Sequence, residues 1–186
     1  SECIEASPGH YSEIMGSIAQ LPCTIGYFQP NSSQTSCLPA EVGFFVATAS
    51  AETQAECPQY MTTVGPASVS EGACLSDIGH YTLEDGSAER CLSGAFQPSL
   101  GEFSCIFASP GQYVEIGAAD SQIPCPPGTF SDSWGAVSQD ACQTVSAGHF
   151  SQLGSAEEIP CPVGFYQPEP GKDHCLGSDP GYYSPV

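Results

Sequence analysis

Eleven cysteines and a recurring Gly-x-Tyr/Phe triplet return along this chain at short steps, which makes it a tandem array of small copies. The triplet stands at Gly9/Tyr11, Gly26/Phe28, Gly43/Phe45, Gly79/Tyr81, Gly94/Phe96, Gly111/Tyr113, Gly128/Phe130, Gly148/Phe150, Gly164/Tyr166 and Gly181/Tyr183. The copy from Cys57, reading CPQYMTT, lacks it. A second glycine follows the aromatic at Gly16, Gly65, Gly86, Gly117, Gly135, Gly154 and Gly171. Glycine admits positive φ and the aromatic suits a half-buried pleat, so each copy reads as a short strand, a turn and a second extended piece. No window sustains apolar residues at helical spacing without Gly or Pro interrupting. The expected fold class is small disulfide-rich β repeats: an elongated linear array of short strands, hairpins and turns with almost no helix.

Composition removes the alternative of one large core. Ile, Leu, Val and Phe make up 35 of 186 residues and the formal charge is −19, a combination that favours disorder unless something else closes the chain. A disulfide closing a loop of about 15 residues contributes about 3 kcal/mol, so several such loops, with aromatics stacked between copies, stand in for a core. Cysteine at this density places the chain in an oxidising compartment, extracellular or on a cell surface. With Arg90 and Lys172 the only basic residues against 21 acids, nucleic acid and anionic membranes are poor partners. No run of about 18 apolar residues offers a membrane span, and the N-terminus has no signal-peptide layout. Cys3 at the start and GYYSPV at the end read as a mature piece cut from a longer array.

The cysteines are of two kinds. The repeat glycine comes three residues after Cys23, Cys91, Cys125 and Cys161, but six after Cys3, Cys37, Cys105, Cys142 and Cys175, which separates opening from closing cysteines. Cys125 begins CPPGTFS, and in this the chain resembles the ephrin-receptor-like cysteine-rich repeat, in which Cys-x-x-Cys-Pro-x-Gly-Thr-Tyr/Phe-Ser joins one copy to the next. The resemblance implies an extracellular cysteine-rich rod segment and covers nearly the whole chain. The chain departs from that pattern by keeping one cysteine per junction: Ala40 stands three residues after Cys37, and Gln122 three before Cys125. Partners in a disulfide should vanish together, so the alternation implies copies that have lost both ends. The expected bridges are Cys23 with Cys37, Cys57 with Cys74, Cys91 with Cys105, Cys125 with Cys142, and Cys161 with Cys175. Cys3 is left unpaired or paired outside the segment. The other register joins each closing cysteine to the next opener, as Cys3 with Cys23 and Cys37 with Cys57. Breaks after closing cysteines give units 1–37, 38–74, 75–105, 106–142 and 143–175, with 176–186 starting another.

Loops of 14 and 17 residues alternate, and the short ones share Gln29-Pro30, Gln97-Pro98 and Gln167-Pro168. Proline there suits an edge or turn. His10, His80 and His149 recur at about 70-residue spacing, one per super-repeat, so a shared three-histidine site is not expected where each copy touches mainly its neighbours. No Cys-x-x-Cys survives for zinc. The acids, scattered through all copies, read as a solvated coat. Calcium between copies at Glu84 and Asp85, or Glu157 and Glu158, is the sharper reading, without a Ca²⁺ loop motif to support it, and no other cofactor is expected. Trp134 reads as a cap over a disulfide, with interface anchor as the alternative. Asn31-Ser32-Ser33 is an N-glycosylation sequon, and Ser7-Pro8, Ser109-Pro110 and Ser184-Pro185 could carry O-linked sugar.

These features point to a structural role: an extracellular rod, stalk or filament segment with an acidic, glycosylated surface that self-assembles with neighbouring copies of the array. The alternative is a ligand-binding or adhesive ectodomain using residues 57–74 or the aromatics Phe103 and Phe107, whose exposure would favour binding. No nucleophile elbow, phosphate loop or metal motif suggests an enzyme.

Overall fold

The computed structural model describes residues 3–179 and 181. Tyr183 of the last triplet and Ser184-Pro185 lie outside the described residues. The chain is built of small antiparallel hairpins with no α-helix among the described residues. In chain order the strands are β1 His10–Tyr11, β2 Leu21–Pro22, β3 Tyr27–Phe28, β4 Leu38–Pro39, β5 Phe44–Phe45, β6 Ala55–Glu56, β7 Met61–Thr63, β8 Cys74–Ser76, β9 His80–Thr82 and β10 Ala88–Arg90. They continue as β11 Ala95–Phe96, β12 Ile106–Phe107, β13 Gln112–Tyr113, β14 Ile123–Pro124, β15 Thr129–Phe130, β16 Gln143–Thr144, β17 His149–Phe150, β18 Ile159–Pro160, β19 Phe165–Tyr166 and β20 Leu176–Gly177. Each odd strand forms a two-stranded sheet with the even strand after it, and Phe96 and Phe130 add single parallel bridges to Ala119 and Ser155.

A β-turn launches each first strand. Tyr27 donates its amide to the Thr24 carbonyl at 3.0 Å, with Gly26 at φ +83° in the third place of the turn. That place needs positive φ, which explains the repeat glycine, and proline is favoured just before it. Ser7-Pro8-Gly9-His10 and Ser109-Pro110-Gly111-Gln112 are such turns, closed by bonds of 3.0 and 2.9 Å. The Cys57 copy is no exception in shape: Tyr60 fills the glycine slot at φ +64°, and Met61 donates to Pro58 at 3.1 Å.

The long disulfide loops spend their three additional residues on 3₁₀ turns, Glu71–Ala73 and Gln139–Ala141, set just before Cys74 and Cys142. Return strands run past the closing cysteines, as β4, β12, β16 and β20 do. A break at Cys37 or Cys105 therefore cuts a hairpin from its second strand. At a coarser level the chain divides into two compact units, Ser1–Asp77 with Thr82–Glu89, and Ile78–Tyr81 with Arg90–Val186.

Within each unit the copies are sewn together by main-chain bonds at fixed slots. The repeat glycine donates to the carbonyl three residues past the next copy's glycine: Gly9 to Gln29 and Gly26 to Val46 in the first unit, Gly94 to Val114 and Gly111 to Ser131 in the second, all at 2.7–2.8 Å. The copies also reach further than their neighbours. A Cβ placed on Gly9 would overlap the Ser50 carbonyl, and one on Gly111 the Gly154 carbonyl, each two copies along. A copy of about 17 residues is too small to bury its own turn, so the second-next copy covers it.

The left-handed residue of the second turn is fixed by position and not by glycine. Ser33, Ser50, Ala67 and Ala118 hold φ of 56–62° where Gly16, Gly135 and Gly171 stand in other copies. Gly65 and Gly117, which the sequence suggests for this role, sit beside it. Gly117 has another use, since a Cβ there would come within 3.0 Å of the Cys91 carbonyl oxygen, a tight contact. Ala118→Gly should therefore stabilise the second unit by about 1 kcal/mol, read as slower amide exchange at Ala118 and Gly79.

Candidate functional site

The candidate site is the clasp that closes each copy, because this is where the chain has changed its chemistry while keeping its fold. The structure joins Cys23 to Cys37, Cys57 to Cys74, Cys91 to Cys105, Cys125 to Cys142 and Cys161 to Cys175, with Cα atoms 5.7–5.8 Å apart. Cys3 is a free, exposed thiol. The opening slot is closed off whether or not it holds sulfur: Cys23, Cys91 and Cys125 are fully buried, and so are Ala40, Ser76, Ala108 and Val145 in the copies between, with Cys161 near the end half-buried. Its amide donates to the repeat glycine of the preceding copy in both kinds of copy, as Cys91 does to Gly79 at 2.8 Å and Ala108 to Gly94 at 2.9 Å.

In four copies the closing cysteine is replaced by an amide or carboxylate that grips the main chain. Gln20 Oε1 accepts from the Ser7 amide, Gln54 Oε1 from the Glu41 amide and Gln122 Oε1 from the Ser109 amide, each at 2.8 Å. Glu158 Oε2 accepts from the Ser146 amide at 2.8 Å. Each acceptor reaches the residue just after the opening slot. A side-chain hydrogen bond thus spans the gap that sulfur spans elsewhere. The sequence carries a signal for this, Ala and Gln 14 residues apart at 6/20, 40/54 and 108/122, matching the short disulfide loops. The 76/88 copy has neither device, with Ser76 and Ala88 in the two slots; there Thr82 donates to Ser76 Oγ at 3.1 Å.

The glutamine of Gln-Pro has its own task. Gln29, Gln97 and Gln167 are buried, donating to Ser36, Ser104 and His174 carbonyls at 2.7–2.8 Å. Their Oε1 atoms accept from the amides of Asn31, Ser99 and Glu169 at 3.1–3.3 Å. Each short loop is pinned across its width just before the closing cysteine. The extended edge expected from proline is secondary to this buried amide.

Ser146, His149 and Glu158 approach one another in the manner of a catalytic group. Ser146 Oγ lies 3.1 Å from His149 Nδ1 and 2.9 Å from Glu158 Oε2, while His149 Nε2 is 3.9 Å from Glu158 Oε1. The carboxylate here accepts from the serine hydroxyl itself, whereas a triad needs the histidine between them. The same three slots read Ser7, His10 and Gln20 in the first copy, with Ser7 Oγ 3.4 Å from His10 Nδ1. His10, His80 and His149 each also place Nδ1 2.9–3.4 Å from the carbonyl two residues back. Their recurrence is a local turn contact.

The Ser146 amide, then its hydroxyl, and the charge of His149 hold the Glu158 carboxyl below the usual glutamate range. A lowered folded value means the bond is present at neutral pH and is lost as pH falls through that value. Ser146 amide exchange, corrected for its intrinsic pH dependence, should therefore accelerate as pH falls through the lowered Glu158 value in the native chain but not in Glu158→Gln, which carries the residue used at 20, 54 and 122. Asp85 is lowered likewise by the Ser87 hydroxyl and amide. Asp85 and Glu158, one from each pair considered for calcium, are thus engaged locally, and no cluster of three or more potential metal ligands occurs among the described residues.

Trp134 does not cap a disulfide; it is 70% exposed. Tyr113 and Ala136 cover Cys125 instead, because the aromatic of the preceding copy already fills that space. Phe103 and Phe107 are exposed as well, at 75% and 66%. Asn31 sits in an exposed stretch with Ser32 and Ser33.

No family model matches the chain. It is similar to signal peptide, CUB and EGF-like domain-containing protein 2 of Mus musculus, 29% identical over 95% of this chain and 15% of that protein. The Homo sapiens protein of the same name is 30% identical over 94% of this chain and 15% of its own length. Cysteine repeat modular protein A of Toxoplasma gondii is 26% identical over 58% of this chain and 4% of its own. The chain spans about 15% or less of these relatives, whose names describe CUB- and EGF-like-domain-containing proteins and a cysteine repeat modular protein. Five disulfides suit the same oxidising, extracellular setting.

Proposed function

We propose that this chain is a spacer segment of an extracellular modular protein, built from ephrin-receptor-like copies, which presents an acidic surface N-glycosylated at Asn31. It acts by holding a fixed separation and performs no catalysis. The observation that supports this most is the clasp: the main-chain bonds between copies are the same whether a disulfide or a Gln–amide bond closes the copy. What has been retained across copies is geometry, not a reactive group. Small-angle scattering of the secreted chain should give an elongated particle whose length grows with added copies. A compact particle of unchanged size would overturn the reading, and an intact mass of the bare 19.3 kDa chain from a glycosylating host would remove the glycan.

A second reading, protein binding, is favoured by the exposure of Phe103 and Phe107. Lateral or axial self-association through such residues would make the spacer a filament.

A further inference from the structure

The array carries its own control. Positions 68 residues apart occupy the same slots: Cys23, Cys37, Cys57 and Cys74 correspond to Cys91, Cys105, Cys125 and Cys142, with the same pairings. Ala67 donates to Ala40 at 2.8 Å, and Gly135 to Ala108 at 2.8 Å. The Cβ position of Gly26 lies 3.3 Å from Val69 Cγ1, and that of Gly94 lies 3.1 Å from Val137 Cγ1. On this shared scaffold, Thr24, Pro39 and Pro66 become Leu92, Phe107 and Trp134.

These three are exposed by 70%, 66% and 70%, and Val137 beside them by 55%. They gather around one crossing point. Phe107 and Trp134 adjoin the two partners of the Gly135-to-Ala108 bond, and Phe107 Cδ1 lies 3.4 Å from the Cβ position of Gly135. Leu92 accepts the turn bond from Ala95 at 3.1 Å, and Ala95 faces Phe107 across the hairpin. The scaffold folds with threonine and proline in these places, so packing does not require the larger apolar groups. Grouped exposed aromatics mark an interaction surface.

We propose that Leu92, Phe107, Trp134 and Val137 form a docking surface for a protein segment in which apolar residues alternate with Lys or Arg. The inference rests on the protein-binding reading. Charge selects the partner: from Cys91 to Gly171 the chain has neither Lys nor Arg, while Glu102, Asp132 and Asp140 punctuate the stretch that supplies the patch. A second copy carrying −19 would be repelled, as would an anionic membrane.

Trp134 is the only tryptophan and reports directly on the surface. At about 0.15 M salt, where long-range charge is screened, a peptide of about twelve alternating Leu and Lys residues should bind and shift Trp134 emission to the blue. Ser/Lys and Leu/Glu peptides should do neither. Calorimetry on the full chain carrying Leu92→Thr, Phe107→Pro and Trp134→Pro should show binding at least about tenfold weaker, with mass spectrometry verifying that all five bridges form. Undiminished binding by that variant would overturn the patch while leaving protein binding in place. Binding of no peptide by either chain would overturn the patch and count against the protein-binding reading too. Equal binding of the Ser/Lys peptide would reduce the surface to charge alone and overturn it. Concentration-dependent dimerisation abolished by the triple variant would also overturn it, by making a second copy the occupant.

Discussion

Gly111→Val should lower the local stability of the second unit by about 3–5 kcal/mol, at least as much as the loss of one short-loop disulfide. Two costs add at this position. Gly111 has φ +81°, a region that L residues enter only under strain and β-branched ones least of all. Its missing Cβ also leaves the space taken by the Gly154 carbonyl, whose residue is anchored by its own amide to the Cys125 carbonyl at 2.9 Å. Backbone cannot swing aside as a side chain can. Gly148 provides the comparison: its φ of +83° is alike, but nothing stands within 4 Å of its Cβ position. Gly148→Val should therefore cost only the conformational part, about 1–2 kcal/mol. Amide exchange at Gly154 and Cys125, followed with the disulfides intact, would separate the two. Equal losses would mean that the close approach between second-next copies contributes nothing.

Ala108→Cys with Gln122→Cys should form a sixth disulfide and stabilise the unit by about 3 kcal/mol. The two slots are 14 residues apart, as in the short bridged loops, and Ala108 is buried where Cys91 and Cys125 are. The double variant should resist alkylation at both new positions when denatured without reductant. The opposite exchange is as informative. Cys91→Ala with Cys105→Gln should lose about 3 kcal/mol yet retain the hairpin, because the introduced glutamine can accept a bond from the Leu92 amide, while Cys91→Ala with Cys105→Ala loses that bond as well. If the glutamine and alanine versions were equally unstable, the hydrogen-bonded clasp would be a passive filler.

Much of this was legible in the chain. The Gly-x-aromatic triplet reads directly as a turn feeding a strand, since the turn demands positive φ and the strand a half-buried ring, and each of β3, β13 and β17 follows such a glycine. What escaped were the roles of ordinary residues. Gln122 looked like a cysteine lost, because a pattern of letters does not show that an amide can reach the Ser109 main chain. Gln97 looked like a companion to proline, although its side chain is buried and pins the loop. Trp134 looked like a cap, but Tyr113 had already filled the space over Cys125. Tyr60 hid a regular copy, since only φ reveals that it stands where glycine does elsewhere.

The sequence by itself determined the module, its punctuation and its oxidising surroundings, because backbone geometry at glycine and the closing of short loops are local matters, encoded within a single copy and its neighbour. Which residues substitute for sulfur, which glycines face another copy's carbonyl and which apolar groups remain uncovered were decided only in three dimensions. Those depend on what a copy meets one and two places along, and contacts between repeats leave no mark in any single one of them.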